Sequence, residues 1–373
     1  MTSSIKISIV IPTRNRPETL LYSLQTVLAQ RDPNFEIVVS DNSDDNVTCS
    51  LINQLADHRI VYVKTPTLLS MTDNWNHAFK AVSGDYVLYI GDDDGLCVDG
   101  LLNLRNTIDE FSACAYKWNT TEYQWPIDGH PAKVISFASN PSKNKTYNLK
   151  FHAEIVMRCG GWFYYKLPGV YHAAIKKSVL DSIARHNNGK LFLTTQPDLF
   201  TAMAVPQYCD SYVKLCIPVS IQGRSAKSNG GSSVASNGEE TVQRWIKEYG
   251  DYEVDELLKE MPFHVGWMME PFYSAQCRFD VYKNSMFNFS AMWAFVVRLG
   301  LVTHAHVIDS YQGFNKKLGF SYTEYRLFHA IHYFLSVRRS WLSQKMTSEV
   351  NDDLPANIYE FSNYLATTLR RSG

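Results

Sequence analysis

The chain has 373 residues, 45% hydrophobic and 20% charged, and its 36 basic and 37 acidic residues leave a formal net charge of -1. That balance belongs to an ordinary folded domain and lacks the basic surplus of a dedicated nucleic-acid binder, so no nucleic-acid partner is expected. Seven cysteines, scattered without a CxxC pair, argue against a disulfide framework and against a structural zinc site.

Met1 to Lys6 leads straight into a strand-like run without a charged-then-apolar leader. No apolar stretch reaches the ~18–20 residues that a membrane span needs; the nearest, 289–301, contains Arg298. A cytoplasmic chain in reducing surroundings is the expectation. Ile5 to Ile11 is β-branched and closed by Pro12, the pattern of a buried strand. Pro17 then opens a helix carrying Leu20, Leu21, Leu24, Val27 and Leu28 at helical spacing. Phe35 to Val39 is a second strand, Val47 to Leu55 a helix, Ile60 to Val63 a third strand, and Asp73 to Val82 a helix. Tyr86 to Ile90 is a fourth strand that runs into Gly91-Asp-Asp-Asp-Gly95.

Strands alternating with helices at these intervals imply an α/β fold with a mostly parallel sheet covered on both faces. Ligands of such sheets sit beyond the carboxyl ends of the strands. Three polar clusters fall there: Thr13 to Arg16, Asp41 to Asp45, and Asp92 to Asp94. They converge on one edge although they are far apart in sequence. Beyond residue 105 the spacing predicts short strands at Ala113–Trp118, Val134–Phe137, Phe163–Tyr165 and Tyr212–Ile217. It also predicts helices over Lys176–Arg185 and from Asp198 onward. Residues 222–240, rich in Ser, Gly and Asn, read as a flexible loop or lid, and 241–373 as mainly helical.

The Asp triplet carries the clearest chemistry. Three adjacent carboxylates after a strand repel one another and rise in pKa unless a cation meets them. A hard divalent ion, Mn2+ or Mg2+, takes oxygen ligands and bridges carboxylates to substrate phosphates. A solvated acidic turn is the plain alternative.

Four segments, taken in order, resemble the family 2 glycosyltransferases. They are Pro12-Thr-Arg-Asn-Arg-Pro17, Ser40-Asp-Asn-Ser43, Asp73-Asn-Trp-Asn-His-Ala78 and Gly84-Asp-Tyr-Val-Leu-Tyr-Ile-Gly-Asp-Asp-Asp-Gly-Leu96. The resemblance is clear over residues 5–105 and thinner to about 225. It implies a GT-A fold: a Rossmann-like, mostly parallel central sheet flanked by helices, here with a C-terminal helical extension. Residues 1–225 would be the catalytic domain, divided into a nucleotide-sugar half (1–105) and an acceptor half (106–225).

By the same resemblance, Pro12 and Thr13 line the nucleoside pocket and Asp41 hydrogen-bonds the base edge. Asp92 lies by the ribose and donor sugar, with Arg16 beside the donor. Asp93 or Asp94 binds the metal, although Asp92 and Asp94 are the formal match to the family's DxD pattern. Asn74 and Asn76 are further donor contacts, or polar residues of a partly exposed helix.

The family also places a carboxylate base on the acceptor side, and Asp198 in Thr195-Gln-Pro-Asp-Leu-Phe200 fits. A helix-capping role suits it equally, and both can hold together. Members often carry a His after the last strand of the domain. This chain has Pro218-Val-Ser-Ile-Gln-Gly-Arg-Ser-Ala-Lys-Ser228 instead, where Arg224 and Lys227 either hold the donor diphosphate or are ordinary surface charges. His172 is the nearest substitute, and a lone His beside Tyr171 reads as structural.

The implied activity is metal-dependent, inverting transfer from a nucleotide diphosphate sugar, UDP-sugars favoured. The acceptor would be a hydroxyl of a glycan or lipid-linked saccharide, in bacterial surface polysaccharide assembly. An inactive nucleotide-sugar-binding or scaffold protein is the alternative. The aromatic and basic C-terminal segments, 289–297 and 325–341, read as a helical unit packed on the core or a homodimer interface. Peripheral contact with the inner face of a membrane is the other reading.

Overall fold

A computed structural model of the chain describes residues 5–127, 129–228, 247–248, 263–300, 303, 305, 307, 321–347 and 354–371. The strands Ile7–Thr13 (β1), Phe35–Asp41 (β2), Ile60–Lys64 (β3) and Tyr86–Tyr89 (β4) alternate with the helices Pro17–Leu28 (α1), Val47–Leu55 (α2) and Met71–Phe79 (α3). β1 and β2 are buried along nearly their whole length because both faces of the sheet are covered, as the β-branched runs imply. The third helix starts two residues earlier than the periodicity predicts and ends at Phe79. Ser70 caps it by accepting the Asp73 N–H at 3.1 Å.

Gly95–Leu96 (β5) and Gly100–Phe111 (α4) follow. The second half supplies Ala115–Lys117 (β6), Thr121–Gln124 (β7), Lys133–Ser136 (β8), Lys145–Asn148 (β9), Leu149–Arg158 (α5), Ala173–Lys176 (β10), Lys177–His186 (α6), Pro197–Ala204 (α7), Ser211–Lys214 (β11) and Ser220–Arg224 (β12). The C-terminal helices are Phe263–Arg278 (α8), Phe289–Arg298 (α9), Tyr322–Thr347 (α10) and Ile358–Arg371 (α11).

One sheet has the order β3-β2-β1-β4-β10-β6-β11-β9. The first four strands are parallel, with Ile7 paired to Phe35 and to Tyr86. β10 runs antiparallel to both neighbours, and β11 is parallel to β6. Two reversals restore direction, so β6 and β11 end on the same edge as β1, β2 and β4. One face buries Leu20, Leu24, Leu101 and Leu104 of α1 and α4, and the other buries Leu180, Phe200, Met269 and Phe272 of α6, α7 and α8. A second sheet, β5-β12-β7-β8, packs on α11 through Tyr123, Trp125, Ile221, Phe361 and Leu365.

Three expectations need correction. Phe163–Tyr165 is no strand: Phe163 stands at φ 67° and leads into a single 3-10 turn, Tyr164–Lys166. The 222–240 loop begins late, because Gln222 to Arg224 belong to β12, whose partner β7 the sequence did not reveal; residues 229–240 lie outside the described residues. Cys114 and Cys209 are joined in a disulfide, 95 residues apart in sequence with Cα atoms 6.3 Å apart, a pairing that only the fold brings about.

Candidate active site

The carboxyl ends of β1, β2 and β4 meet as expected. Thr13 and Asp41 are register partners, and Asp92 to Asp94 form the turn beyond β4. Asp41 is fully buried. Its carboxylate accepts the Ser43 N–H at 2.9 Å, the Tyr62 hydroxyl at 2.8 Å and Lys64 Nζ at 3.0 Å. Burial disfavours its charge, but these donors outweigh that and keep its pKa below the ordinary value. Pro12 is half-buried at the same edge.

The three aspartates are all buried and differently held. Asp92 accepts Thr13 Oγ1 at 2.6 Å and Arg16 Nε at 3.0 Å, with a second bond from Arg16 Nη2 making the pair bidentate. Asp93 Oδ2 accepts Ser225 Oγ at 2.6 Å and Ser225 N at 3.2 Å, with Arg16 Nη1 at 3.5 Å. Asp93 Oδ1 accepts no hydrogen bond among the described residues. Burial raises the Asp93 pKa; Arg16 only partly opposes this and the charge of Asp94 adds to it.

Asp94 goes the other way. Its Oδ1 accepts Gly223 N at 2.7 Å, while its Oδ2 accepts Gly91 N at 2.6 Å and the Tyr171 hydroxyl at 2.6 Å, with His172 Nε2 3.3 Å away. Burial works against its charge, but His172, Tyr171 and Gly91 together keep its pKa low. His172, which the sequence marks as structural, therefore stands in the site. Its Nδ1 is 2.8 Å from Ser220 Oγ, itself the acceptor of Trp118 Nε1 at 2.7 Å. A His at positive φ, 49°, is what lets β10 deliver both Tyr171 and His172 to one carboxylate.

The second sheet presses on this turn. A Cβ on Gly223 would lie 1.7 Å from the Asp93 carbonyl oxygen, so only glycine fits there. That carbonyl also accepts Trp125 Nε1 at 2.9 Å. Sequence reading missed Gly223, Ser225 and Trp125; the run Gln222-Gly-Arg-Ser225, read as a loop, was the available signal.

Asp198 lies at the second position of α7, behind Pro197. Burial raises its pKa, opposed by backbone N–H groups at the helix start and then by the charges of Lys117 and His172. Its approach loop is pinned from both sides. Thr72 Oγ1 donates to Thr194 O at 2.7 Å, and Asn76 exchanges bonds of 2.8 and 3.0 Å with the backbone of Phe192. Glu270 of α8 accepts Thr195 N at 3.0 Å and Thr195 Oγ1 at 2.5 Å. Asn76 thus braces that loop, and Asn74 Oδ1 accepts Ser40 Oγ at 2.7 Å.

Arg224 does not reach the aspartates: it donates to Glu122 Oε2 on the neighbouring strand at 2.6 Å. Lys227 meets Arg16 only through its carbonyl, at 3.1 Å. Among the described residues no three His, Cys, Asp or Glu side chains converge as a metal cage. A hard cation that shares its shell with substrate phosphates and water needs only one or two carboxylates. Asp93, with a free oxygen and a raised pKa, meets that requirement; Asp94 is the adjacent carboxylate.

Comparison with known proteins bears on the family and the fold. Residues 8–168 match the model of glycosyl transferase family 2. An Escherichia coli protein named UDP-Glc:alpha-D-GlcNAc-diphosphoundecaprenol beta-1,3-glucosyltransferase is 30% identical over 88 residues, 24% of this chain and 35% of that protein. A Campylobacter jejuni GalNAc(5)-diNAcBac-PP-undecaprenol beta-1,3-glucosyltransferase is 30% identical over 108 residues, 28% of this chain and 35% of its own length. The chain therefore matches about a third of the length of these relatives. The structure of Staphylococcus aureus TarS 1-349 in complex with UDP-GlcNAc aligns with a TM-score of 0.50 at 15% identity, over 85% of this chain and 93% of that one. The shared fold extends well past the matched sequence.

Proposed function

Because residues 8–168 match the model of glycosyl transferase family 2, we propose that the chain is a member of that family and transfers a sugar from a nucleotide diphosphate sugar to a hydroxyl of a glycan or lipid-linked saccharide. One observation carries the reading. His172 stands 3.3 Å from Asp94 Oδ2 and also within electrostatic reach of Asp198. His172 thus couples electrostatically to both Asp94 and Asp198, which supports their working as one site.

Pro12, Thr13 and Asp41 bind the nucleoside, and Asp92 with Arg16 orients the ribose and donor sugar. Asp93 and Asp94 would hold Mn2+ or Mg2+, which when bound supplies Lewis-acid neutralisation of charge on the departing diphosphate. Asp198 accepts the proton of the acceptor hydroxyl. The oxygen so freed forms a bond to the anomeric carbon as the bond to the nucleotide diphosphate breaks, from the opposite face, which inverts the centre. Proton transfer to a placed carboxylate contributes ~10²–10⁴-fold.

The name of the Escherichia coli relative supports a UDP-sugar donor, and both relatives' names support an undecaprenol-linked acceptor, the kind from which a bacterial surface polysaccharide would be built. No helix among the described residues is long and apolar enough to cross a membrane. The exposed Leu327, Ile331 and Phe334 along α10 support peripheral contact with one.

The test is thermal shift and turnover with UDP-, GDP-, dTDP- and CMP-sugars, each with Mn2+ and with EDTA. One nucleotide series should raise the melting point with metal and release its nucleotide when acceptor is added. Binding without turnover would leave an inactive binding protein, and neither would refute the reading.

A further inference from the structure

The acceptor half carries a row of lysines that the reaction as described does not use. Lys117 at the end of β6 pairs in register with Lys214 at the end of β11, and Lys214 pairs with Lys145 at the start of β9. Register partners present their side chains on one face. The three therefore form a rank across adjacent strands at the edge where the active site opens. The face is the one that carries α7: Ala115 and Tyr212, two residues before Lys117 and Lys214, are both buried in the core beneath that helix. Lys145 Nζ sits 5.3 Å above the Tyr147 ring, which stacks on Tyr212 at 5.5 Å. Lys166, whose charge acts on Lys214, flanks the rank from the turn after α5.

This cluster is uncompensated. Lys150, Lys177 and Lys190 each lie within ion-pair distance of an aspartate, whereas among the described residues Lys117, Lys145, Lys166 and Lys214 pair with no carboxylate. The acidic group that Lys117 feels is Asp198. Burial holds the Lys117 pKa down to about 8, with Asp198 opposing and Lys214 reinforcing the shift. Burying a cation without a partner costs free energy, and a chain bears such a cost where a ligand supplies the missing charge.

We propose that Lys117, Lys214 and Lys145 form an anion site on the acceptor side of the cleft, which receives a phosphate group carried by the acceptor. The assignment rests on Asp198 being the acceptor-side base. The site recognises the charge of an acceptor diphosphate or phosphodiester a short distance from the hydroxyl that Asp198 deprotonates. An acceptor without phosphate lacks that contact.

The experiment uses the full chain, saturated with UDP and Mn2+. Isothermal titration measures a decyl diphosphate, a glycerol phosphodiester and an uncharged decyl glucoside against wild type, Lys117→Gln, Lys214→Gln and Lys145→Gln. Wild type should bind one phosphorylated probe and not the glucoside. The diphosphate and phosphodiester arms tell a lipid-linked acceptor from a phosphodiester polymer. Each substitution at Lys117 or Lys214 should weaken that probe at least tenfold, leave UDP affinity unchanged and leave the melting temperature unchanged or higher. If Lys117→Gln does not fold, Lys214→Gln and the exposed Lys145→Gln carry the test. Unchanged probe binding overturns the proposal, and so does an equal loss of UDP affinity, which would hand the lysines to the donor. Failure of wild type to bind any nucleotide would instead count against the glycosyltransferase reading, and the probe arms, repeated on the full chain without nucleotide, would still decide the anion site.

Discussion

Gly223→Ala is the sharpest test of how the aspartate turn is held. The added Cβ would fall 1.7 Å from the Asp93 carbonyl oxygen and 3.0 Å from Trp125 Nε1. Carbon and carbonyl oxygen tolerate ~3.3 Å, so backbone must separate from backbone by about 1.5 Å, and no rotamer change absorbs that. The displaced strand carries the Gly223 N–H that donates to Asp94 at 2.7 Å and the Ser225 hydroxyl that donates to Asp93 at 2.6 Å. Overpacking of this kind costs ~1–3 kcal/mol, a loss of several degrees in melting temperature. The larger effect should fall on metal-dependent nucleotide affinity, expected to drop at least tenfold, about 1.4 kcal/mol, because both carboxylates lose a donor. Differential scanning calorimetry and titration with nucleotide plus Mn2+ measure the two, with Gln222→Ala as the same-strand control. A Gly223→Ala protein with wild-type melting and affinity would show that β12 does not brace the turn.

Three further outcomes are expected. Asp198→Asn should lower turnover ~10²–10⁴-fold while nucleotide affinity and melting temperature hold. Because burial raises the Asp198 pKa, the acid limb of kcat/KM in wild type should lie above the ordinary aspartate value of ~3.9. Activity is present above that pKa and lost as pH falls through it; an acid limb at or below ~3.9 would remove Asp198 as the base. Glu36 is buried, yet bonds from Lys6, Ser8 and Ser83 overcome burial and hold its pKa at about 2 against an ordinary 4.5. Its stabilisation, a few kcal/mol, is complete above pH 4.5 and disappears as pH falls towards 2, so Glu36→Gln should flatten the melting curve over that range.

The sequence made the donor half legible because each element there is local and strongly patterned. β1, β2 and β4 are buried, mostly apolar runs, and each leads into its polar cluster. What could not be read are contacts between distant segments. β12 pairs with β7 about 100 residues earlier, and the local sequence around Gly223 and Trp125 does not say which distant segment each approaches. The Cys114–Cys209 bond is hidden for the same reason. His172 read as structural because its neighbours in sequence are apolar, whereas its partners Asp94 and Ser220 lie 78 and 48 residues away. Asn74 and Asn76 matched a motif, and the structure gives both of them scaffold bonds.

The C-terminal helix α11 bears on the site although no motif marks it. Phe361 is fully buried and stacks on Tyr123 at 4.5 Å. Tyr123 in turn packs edge-on against Trp125, the residue whose indole holds the Asp93 carbonyl. Ser362 Oγ donates to Leu96 O at 2.8 Å, and Ile358 lies close enough to Gly95 that a Cβ there would meet it at 3.1 Å. Helix and small sheet thus form the back wall of the aspartate turn. Phe361→Ala should cost ~3–5 kcal/mol as a cavity in this cluster, and the loosened Trp125 should weaken metal-dependent nucleotide binding as well. A merely appended helix predicts the first effect without the second. Nucleotide affinity measured at a temperature where the variant remains folded separates the two: unchanged affinity in a destabilised Phe361→Ala protein would detach α11 from the site.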